Sequence, residues 1–287
     1  MEERHRDRSR SECKEQQFDE GKTHTDNGTN RAAERQCPFA NRHTNVLLSY
    51  RLAMAYARHP ELYDLEYSFK DYEGECTRIE EIVHARAPNA RTLLDVACGT
   101  GKHLEHLRTR FSCEGVDLDT GLLSVARERL GNDVPLHEGD MRSFDLGRRF
   151  DVVTCLFSAI GFVGDLDGLA AASRSLAAHV AVGGVLIVEP WLTPDVWRPG
   201  RPHVLAADAE GLALARVTVA GQQGRLSTTE MYYTLGTPDG VEQWQEDHEL
   251  GLFTDDEMRG ALEATGLIVE HDPEGLIGRG LWLGTRP

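Results

Sequence analysis

The run Leu93-Leu94-Asp95-Val96-Ala97-Cys98-Gly99-Thr100-Gly101 limits what this chain can fold into more than any other feature. Residues 92–97 are a short apolar stretch ending in small side chains, as expected of a buried parallel strand. The glycines that follow let the backbone turn sharply into a helix. Its amides and its positive N-terminal end then face whatever lies beyond the strand. Such a turn implies an α/β fold with a ligand at the carboxyl edge of a sheet. The dinucleotide pattern G-x-G-x-x-G needs glycine at position 104, where this chain has Leu104, so the turn does not fit a nicotinamide enzyme.

The downstream residues keep the same rhythm. Helices are predicted over residues 103–111, 121–130 and 166–180, and strands over 113–116, 134–136, 151–156 and 185–188. This alternation of strands and helices predicts a Rossmann-like parallel sheet covered on both faces. After Pro190 the rhythm stops. Residues 213–219, 228–235 and 241–250, separated by Gly221, Gly224 and Pro238-Asp239-Gly240, predict an inserted antiparallel β-meander. Thr254 is placed to cap a helix running to Ala264, and residues 268–270 and 281–284 predict a closing hairpin. Upstream, Pro60, Leu62, Leu65, Ile79, Ile82 and Val83 have helical spacing. Residues 1–45 are polar and nearly free of aliphatic side chains, so they are expected to form a disordered extension. The expected organisation is that extension, a helical and Rossmann-like ligand-binding core over 46–190, the β insertion over 191–253, and a helix and hairpin over 254–287 that complete the core sheet.

Charge and cysteine usage exclude several functions. With 31 Lys+Arg against 47 Asp+Glu the net charge is −16, which would repel a phosphate backbone, so no nucleic acid partner is expected. No apolar run approaches the length of a bilayer span, and the charged N-terminus lacks the core of a signal peptide. No membrane partner and a cytoplasmic location are therefore expected. The six cysteines show no C-x-x-C pair, so neither a disulfide framework nor a metal site is expected.

Two carboxylates sharpen the reading. Asp117 ends the second strand, eighteen positions after Gly99, where an acid can accept hydrogen bonds from both hydroxyls of a ribose. Asp140 follows the third strand, where a carboxylate can accept from the amino group of adenine. Asp117 could also be an ordinary strand-end acid, and Asp140 the N-cap of a short helix. Gly99, Gly101, Asp117 and Asp140 on three successive strand ends nevertheless describe a nucleoside pocket.

The assembly of residues 93–101, Gly115-Val116-Asp117, Glu138-Gly139-Asp140-Met141 and residues 150–157 resembles the class I S-adenosylmethionine-dependent methyltransferases. Tyr63-Asp64-Leu65, Lys70-Asp71-Tyr72, Glu189-Pro190-Trp191, Leu252-Phe253 and Gly278-Arg279-Gly280-Leu281 narrow it further. They resemble the N,N-dimethyltransferases that act on TDP-linked 3-amino deoxysugars in macrolide biosynthesis. The resemblance implies S-adenosyl-L-methionine as cofactor, a nucleotide-linked aminosugar as substrate, and a homodimer formed through the meander. It implies that Tyr63 and Tyr72 close over the cofactor, that Ala97 and Leu118 line its pocket, and that Asp117 holds the ribose. Asp140 and Met141 would bracket the adenine and Leu156 would meet the methionine portion. Tyr56, Trp191 and Arg279 would face the nucleotide sugar. The family places a histidine near the substrate amine after the fourth strand, whereas this chain reads Ser158-Ala159-Ile160-Gly161-Phe162. Glu189 is the remaining candidate for taking a proton from the amine, with a strand-end acid at the pocket rim as its plainer role. On the residues alone, two alternatives stay open. One is a methyltransferase of another small-molecule amine or hydroxyl, and the other a non-catalytic nucleoside binder.

Overall fold

A 3-10 turn at Pro60–Leu62 opens the part of the chain described by the computed structural model, residues 58–287. Residues 1–57, with the expected polar extension and Tyr56, lie outside the described residues. Two helices follow, α1 (Tyr63–Glu66) and α2 (Tyr72–Arg86). The break between them is set by Asp71, whose side chain accepts the Gly74 N–H at 2.9 Å and caps α2.

The chain then alternates: β1 (Thr92–Val96), α3 (Lys102–Leu107), β2 (Ser112–Asp117), α4 (Thr120–Leu130), β3 (Leu136–Glu138), β4 (Phe150–Cys155), α5 (Leu166–Ala178) and β5 (Val180–Val188). Four long strands come next, β6 (Pro202–Ala209), β7 (Leu212–Gln223), β8 (Leu226–Thr237) and β9 (Gly240–Gly251). The chain returns through α6 (Asp255–Glu263), β10 (Ile268–Asp272) and β11 (Leu281–Thr285). Thr254 and Glu257 close α6 with a reciprocal capping box.

The seven-stranded sheet has the order β10-β11-β5-β4-β1-β2-β3. Strands β1 to β5 are parallel, and β11 inserts antiparallel between β5 and β10. Successive strands run one way from β1 to β3 and the other way from β4 to β5. The order therefore reverses between β1 and β4, the kind of point at which open α/β sheets bind ligands. One face packs Leu94, Val96, Val153 and Leu186 against α5 and α6, through Leu169, Leu176, Met258 and Leu262. The other packs Leu93, Val152 and Ile187 against α2, α3 and α4, through Ile79, Leu104 and Leu123. Each fully buried Leu or Ile stabilises the fold by about 1.5–3 kcal/mol. That double cover fixes the carboxyl edge of the sheet in place.

The four strands β6 to β9 form a separate antiparallel meander in sequential order, as the turn residues predicted. Its inner face carries Leu214, Met231, Tyr233 and Leu235, which pack with Leu62. Buried Glu66 ties α1 to this face through an ion pair with Arg216 and by accepting the Tyr233 hydroxyl at 3.2 Å.

Several element boundaries differ from expectation. The third strand lies over Leu136–Glu138 rather than 134–136, because Pro135 has no N–H for a ladder and only its carbonyl pairs, with Gly115 N at 2.9 Å. The helix after β1 ends at Leu107, and tight turns carry the chain on to Phe111. Strand β5 begins at Val180, earlier than predicted, because a register irregularity beside β4 absorbs Gly183 and Gly184. Strand β6 was not singled out, since as an edge strand largely exposed on both faces it lacks alternation.

Candidate active site

At the end of β1 the backbone enters a left-handed conformation three times, at Ala97 (φ 60°), Gly99 (φ 55°) and Gly101 (φ 75°). Gly99 donates its N–H to Asp117 Oδ2 at 2.7 Å, and Asp117 Oδ1 accepts the Asp119 N–H at 2.8 Å. These bonds pin the carboxylate between two strand ends. Burial pushes the Asp117 carboxyl up to about 6, against the two backbone donors that favour its charged form. No described residue lies within 4 Å of where a Cβ on Gly99 would stand, so a ligand can approach its backbone closely.

A cavity of about 870 Å³ opens from this edge, near the upper end for small-molecule sites. From the carboxyl edge of the sheet it is lined by Gly99, Asp117, Leu118, Asp140, Met141 and Leu156. Trp191, Arg198, Arg201, Arg216, His248 and Arg279 also line it, the inner face of the meander supplying Arg216 and His248. Tyr63, Tyr67 and Lys70 line it from the N-terminal segment. Asp140 accepts the backbone N–H of Arg142 at 2.9 Å and its side-chain Nε at 3.0 Å, and this pairing holds the carboxyl below its usual range. Lys70 pairs with Glu75, lies 4.5 Å from the Phe157 ring centroid, and is thereby held at the cavity wall.

Beyond β4 the chain turns through Phe157 (φ 51°) and Ser158 (φ 63°), two left-handed non-glycine residues in sequence. Each conformation costs about 1–2 kcal/mol and persists only where its surroundings enforce it. Glu189, fully buried at the end of β5, accepts the Phe157 N–H at 2.6 Å. The Ser158 hydroxyl donates to Pro190 O at 2.8 Å and accepts from Arg279 Nη1 at 2.8 Å. The Arg279 guanidinium also stacks 5.0 Å from the Trp191 ring, whose Nε1–H donates to Ser227 Oγ at 2.9 Å. A cation, an aromatic plane and a strained turn are thus fixed against one another. Together they can hold a planar or anionic group of a substrate.

A methyltransferase-domain family matches residues 93–184. The chain is 42% identical over 228 residues, 78% of its length and 89% of the relative's, to dTDP-3-amino-3,6-dideoxy-alpha-D-glucopyranose N,N-dimethyltransferase of Streptomyces fradiae. The crystal structure of Streptomyces venezuelae DesVI aligns with a TM-score of 0.76 at 39% identity, over 80% of this chain and 98% of that one. The S-adenosylmethionine-bound structure of CalS10, an amino pentose methyltransferase from Micromonospora echinaspora, aligns with a TM-score of 0.73 at 39% identity, over 79% and 97%. The chain is an S-adenosylmethionine-dependent methyltransferase.

In this methyltransferase, Tyr63, Ala97, Gly99, Asp117, Leu118, Asp140, Met141, Leu156, Trp191 and Arg279 line the same cavity. Three other candidates do not. Gly101 caps α3 and faces the protein, where an added Cβ would stand 2.8 Å from Leu130 Cδ1, so glycine serves packing there. Tyr72 begins α2, and that helix turns its ring edge-on to His103 at 4.9 Å, behind Lys70. Glu189 lies beneath the Phe157-Ser158 turn instead of at the rim, and burial pushes its carboxyl up despite Lys70 and Arg279. Its place is structural support for the strained turn.

Sequence reading missed Lys70, Phe157, Arg216 and His248 as cavity residues. Lys70 stands within a motif that was noticed only for its tyrosine. Which residues of the meander face inward depends on strand pairing, and spacing alone does not reveal it.

Proposed function

We propose that this methyltransferase transfers methyl groups from S-adenosylmethionine to the amino nitrogen of a nucleotide-linked amino deoxysugar. The observation that carries the reading is the cavity wall where Arg279 stacks on Trp191, with Arg198, Arg201 and the Glu66-paired Arg216 also in the lining, in a chain of net charge −16. An anionic, ring-bearing acceptor matches that wall, and the names of the relatives agree with it.

The cofactor end fits a nucleoside. The open backbone at Gly99 and the pinned carboxylate of Asp117 suit a ribose, and Asp140 with Met141 suits an adenine edge and face. Tyr63 and Leu156 would enclose the amino-acid portion, with Ala97 and Leu118 beside them. When bound, the cofactor supplies an electrophilic methyl group on a sulfonium. The chain's own task is to hold the amine on the methyl axis and to exclude water, which well-placed groups can convert into a rate gain of several orders of magnitude. Arg279, fixed by Ser158 and Trp191, anchors the acceptor's anionic part, and the apolar lining keeps the reacting amine unhydrated.

The outer face of the meander exposes Val204, Val217, Val219 and Tyr232, a band that supports homodimer formation. Light scattering on the purified chain tests this, and a monomer at micromolar concentration refutes it. For the activity, mass spectrometry of reactions with S-adenosylmethionine and a TDP-3-amino-dideoxyglucose, beside the free aminosugar, is decisive. Methylation of the nucleotide-linked form well above the free sugar is expected. Equal rates on both would sink the nucleotide-sugar reading.

A further inference from the structure

Helix α1 is a single turn, too short to stand alone, because one turn fixes several backbone dihedrals in return for one hydrogen bond. Its side chains hold it in place. At about 100° per residue, Tyr63 and Tyr67 share one face of the turn, and Asp64 and Glu66 flank that face on opposite sides. Both tyrosines line the cavity. Glu66 is the tie to the meander, through Arg216 and Tyr233. Asp64 is the tie to the core. Its Oδ1 accepts the Thr100 hydroxyl at 2.7 Å, and its Oδ2 pairs with the Arg129 guanidinium on α4. The same guanidinium donates to the carbonyl oxygen of Thr100, a residue buried between Gly99 and Gly101. Helix α1 is thus fastened to the turn whose Gly99 N–H orients Asp117. Burial pushes the Tyr63 hydroxyl well above its ordinary range, and Asp117 is among the nearby charges acting in the same direction, which places the ring near that acid.

We infer that Asp64 is a positioning residue for the methyl donor: through Thr100 and Arg129 it sets Tyr63 over the bound cofactor. The inference deepens the cofactor placement proposed above and rests on it. With α1 tied to the core on one side and to the meander on the other, the Tyr63 ring is ordered before the cofactor arrives. Little of the contact it makes is then spent on fixing it. Asparagine at position 64 keeps the shape and an acceptor for the Thr100 hydroxyl but lacks the charge that answers Arg129. Arg129 is left with Glu105, whose Oε2 lies 3.4 Å from its Nε, and α1 keeps only its ion pair to the meander.

The test is calorimetric titration of S-adenosylhomocysteine into Asp64→Asn, Tyr63→Ala and the double variant. Asp64→Asn is expected to raise Kd about tenfold, the scale of losing one charged contact. In the Tyr63→Ala background the same change is expected to raise Kd by less than about twofold, because the ring that Asp64 positions is gone. Arg129→Gln breaks the same ion pair from α4 and is carried through both backgrounds, so that a folding defect in one variant cannot decide the result. Unchanged affinity in Asp64→Asn and Arg129→Gln overturns the inference. An equal loss with and without Tyr63 also overturns it, since that is the mark of a general loosening of the glycine turn. Tyr63→Ala with unaltered affinity instead overturns the cofactor placement on which the inference stands.

Discussion

Asp117 Oδ2 accepts the backbone N–H of Gly99 at 2.7 Å, so the ends of two adjacent strands are joined by a side chain at the mouth of the cavity. The carboxylate is therefore oriented before any ligand arrives, and little ordering is left to be done on binding. The same burial that orients it also raises its proton affinity.

Asp117→Ala is expected to weaken S-adenosylhomocysteine binding by roughly 1–3 kcal/mol, the usual effect of losing a charged acceptor. The unmodified enzyme should show a matching pH dependence. In the proposed cofactor pose ribose hydroxyls donate to the ionised carboxyl, so ligand would lower its proton affinity. The affinity is therefore full above about 6 and declines as the pH falls through that value. One unit below, about one carboxyl in ten is ionised, giving up to roughly a tenfold rise in Kd, or ~1.4 kcal/mol. Calorimetric titrations between pH 5 and 8 check this, and a profile as steep in Asp117→Ala would remove the residue from the explanation.

Arg279→Ala is expected to raise KM for a nucleotide-linked acceptor with cofactor affinity nearly constant, because its contacts are to Ser158 and Trp191, in the part of the cavity that we propose holds the acceptor. Steady-state kinetics with both ligands varied separate the two effects. A larger change on the cofactor side contradicts the placement.

Gly101→Ala is expected to destabilise the fold by about 2–4 kcal/mol. The left-handed backbone alone costs a Cβ about 1–2 kcal/mol, and crowding against Leu130 Cδ1 and Ala126 Cβ adds a similar amount. Urea unfolding gives the value directly, and a cost below about 1 kcal/mol would mean that α4 shifts freely to make room.

Deleting residues 1–45 is expected to leave turnover intact and the melting temperature within about 4 °C, since a chain so poor in aliphatic residues buries little apolar surface. Differential scanning calorimetry and the methyl-transfer assay decide it. A larger drop would show that the segment packs.

The glycine turn and the apolar runs around it made the parallel core legible, because a strand buried on both faces leaves an uninterrupted hydrophobic record. Gly99, Asp117 and Asp140 could be placed for the same reason, each being tied to a strand end that the pattern locates. Glu189 is also a strand-end acid, yet its destination depended on the Phe157-Ser158 turn folding over it, a backbone conformation no propensity announces. Gly101 belonged to the same motif as Gly99 but serves the helix packed behind it. His248 was invisible because it became a cavity residue only once four strands had paired in register and one turn had closed on them.

The two walls of the cavity come from different sheets, and this has an evolutionary consequence. The sheet edge that we propose holds the methyl donor is locked into the core, where exchanges are costly. The opposing wall consists of alternate positions on a meander whose backbone ladder is indifferent to which side chains point inward. Descendants of such an enzyme, or a laboratory library restricted to Thr218, Thr229, Met231 and Leu250, can explore new acceptors while inheriting the methyl donor unchanged.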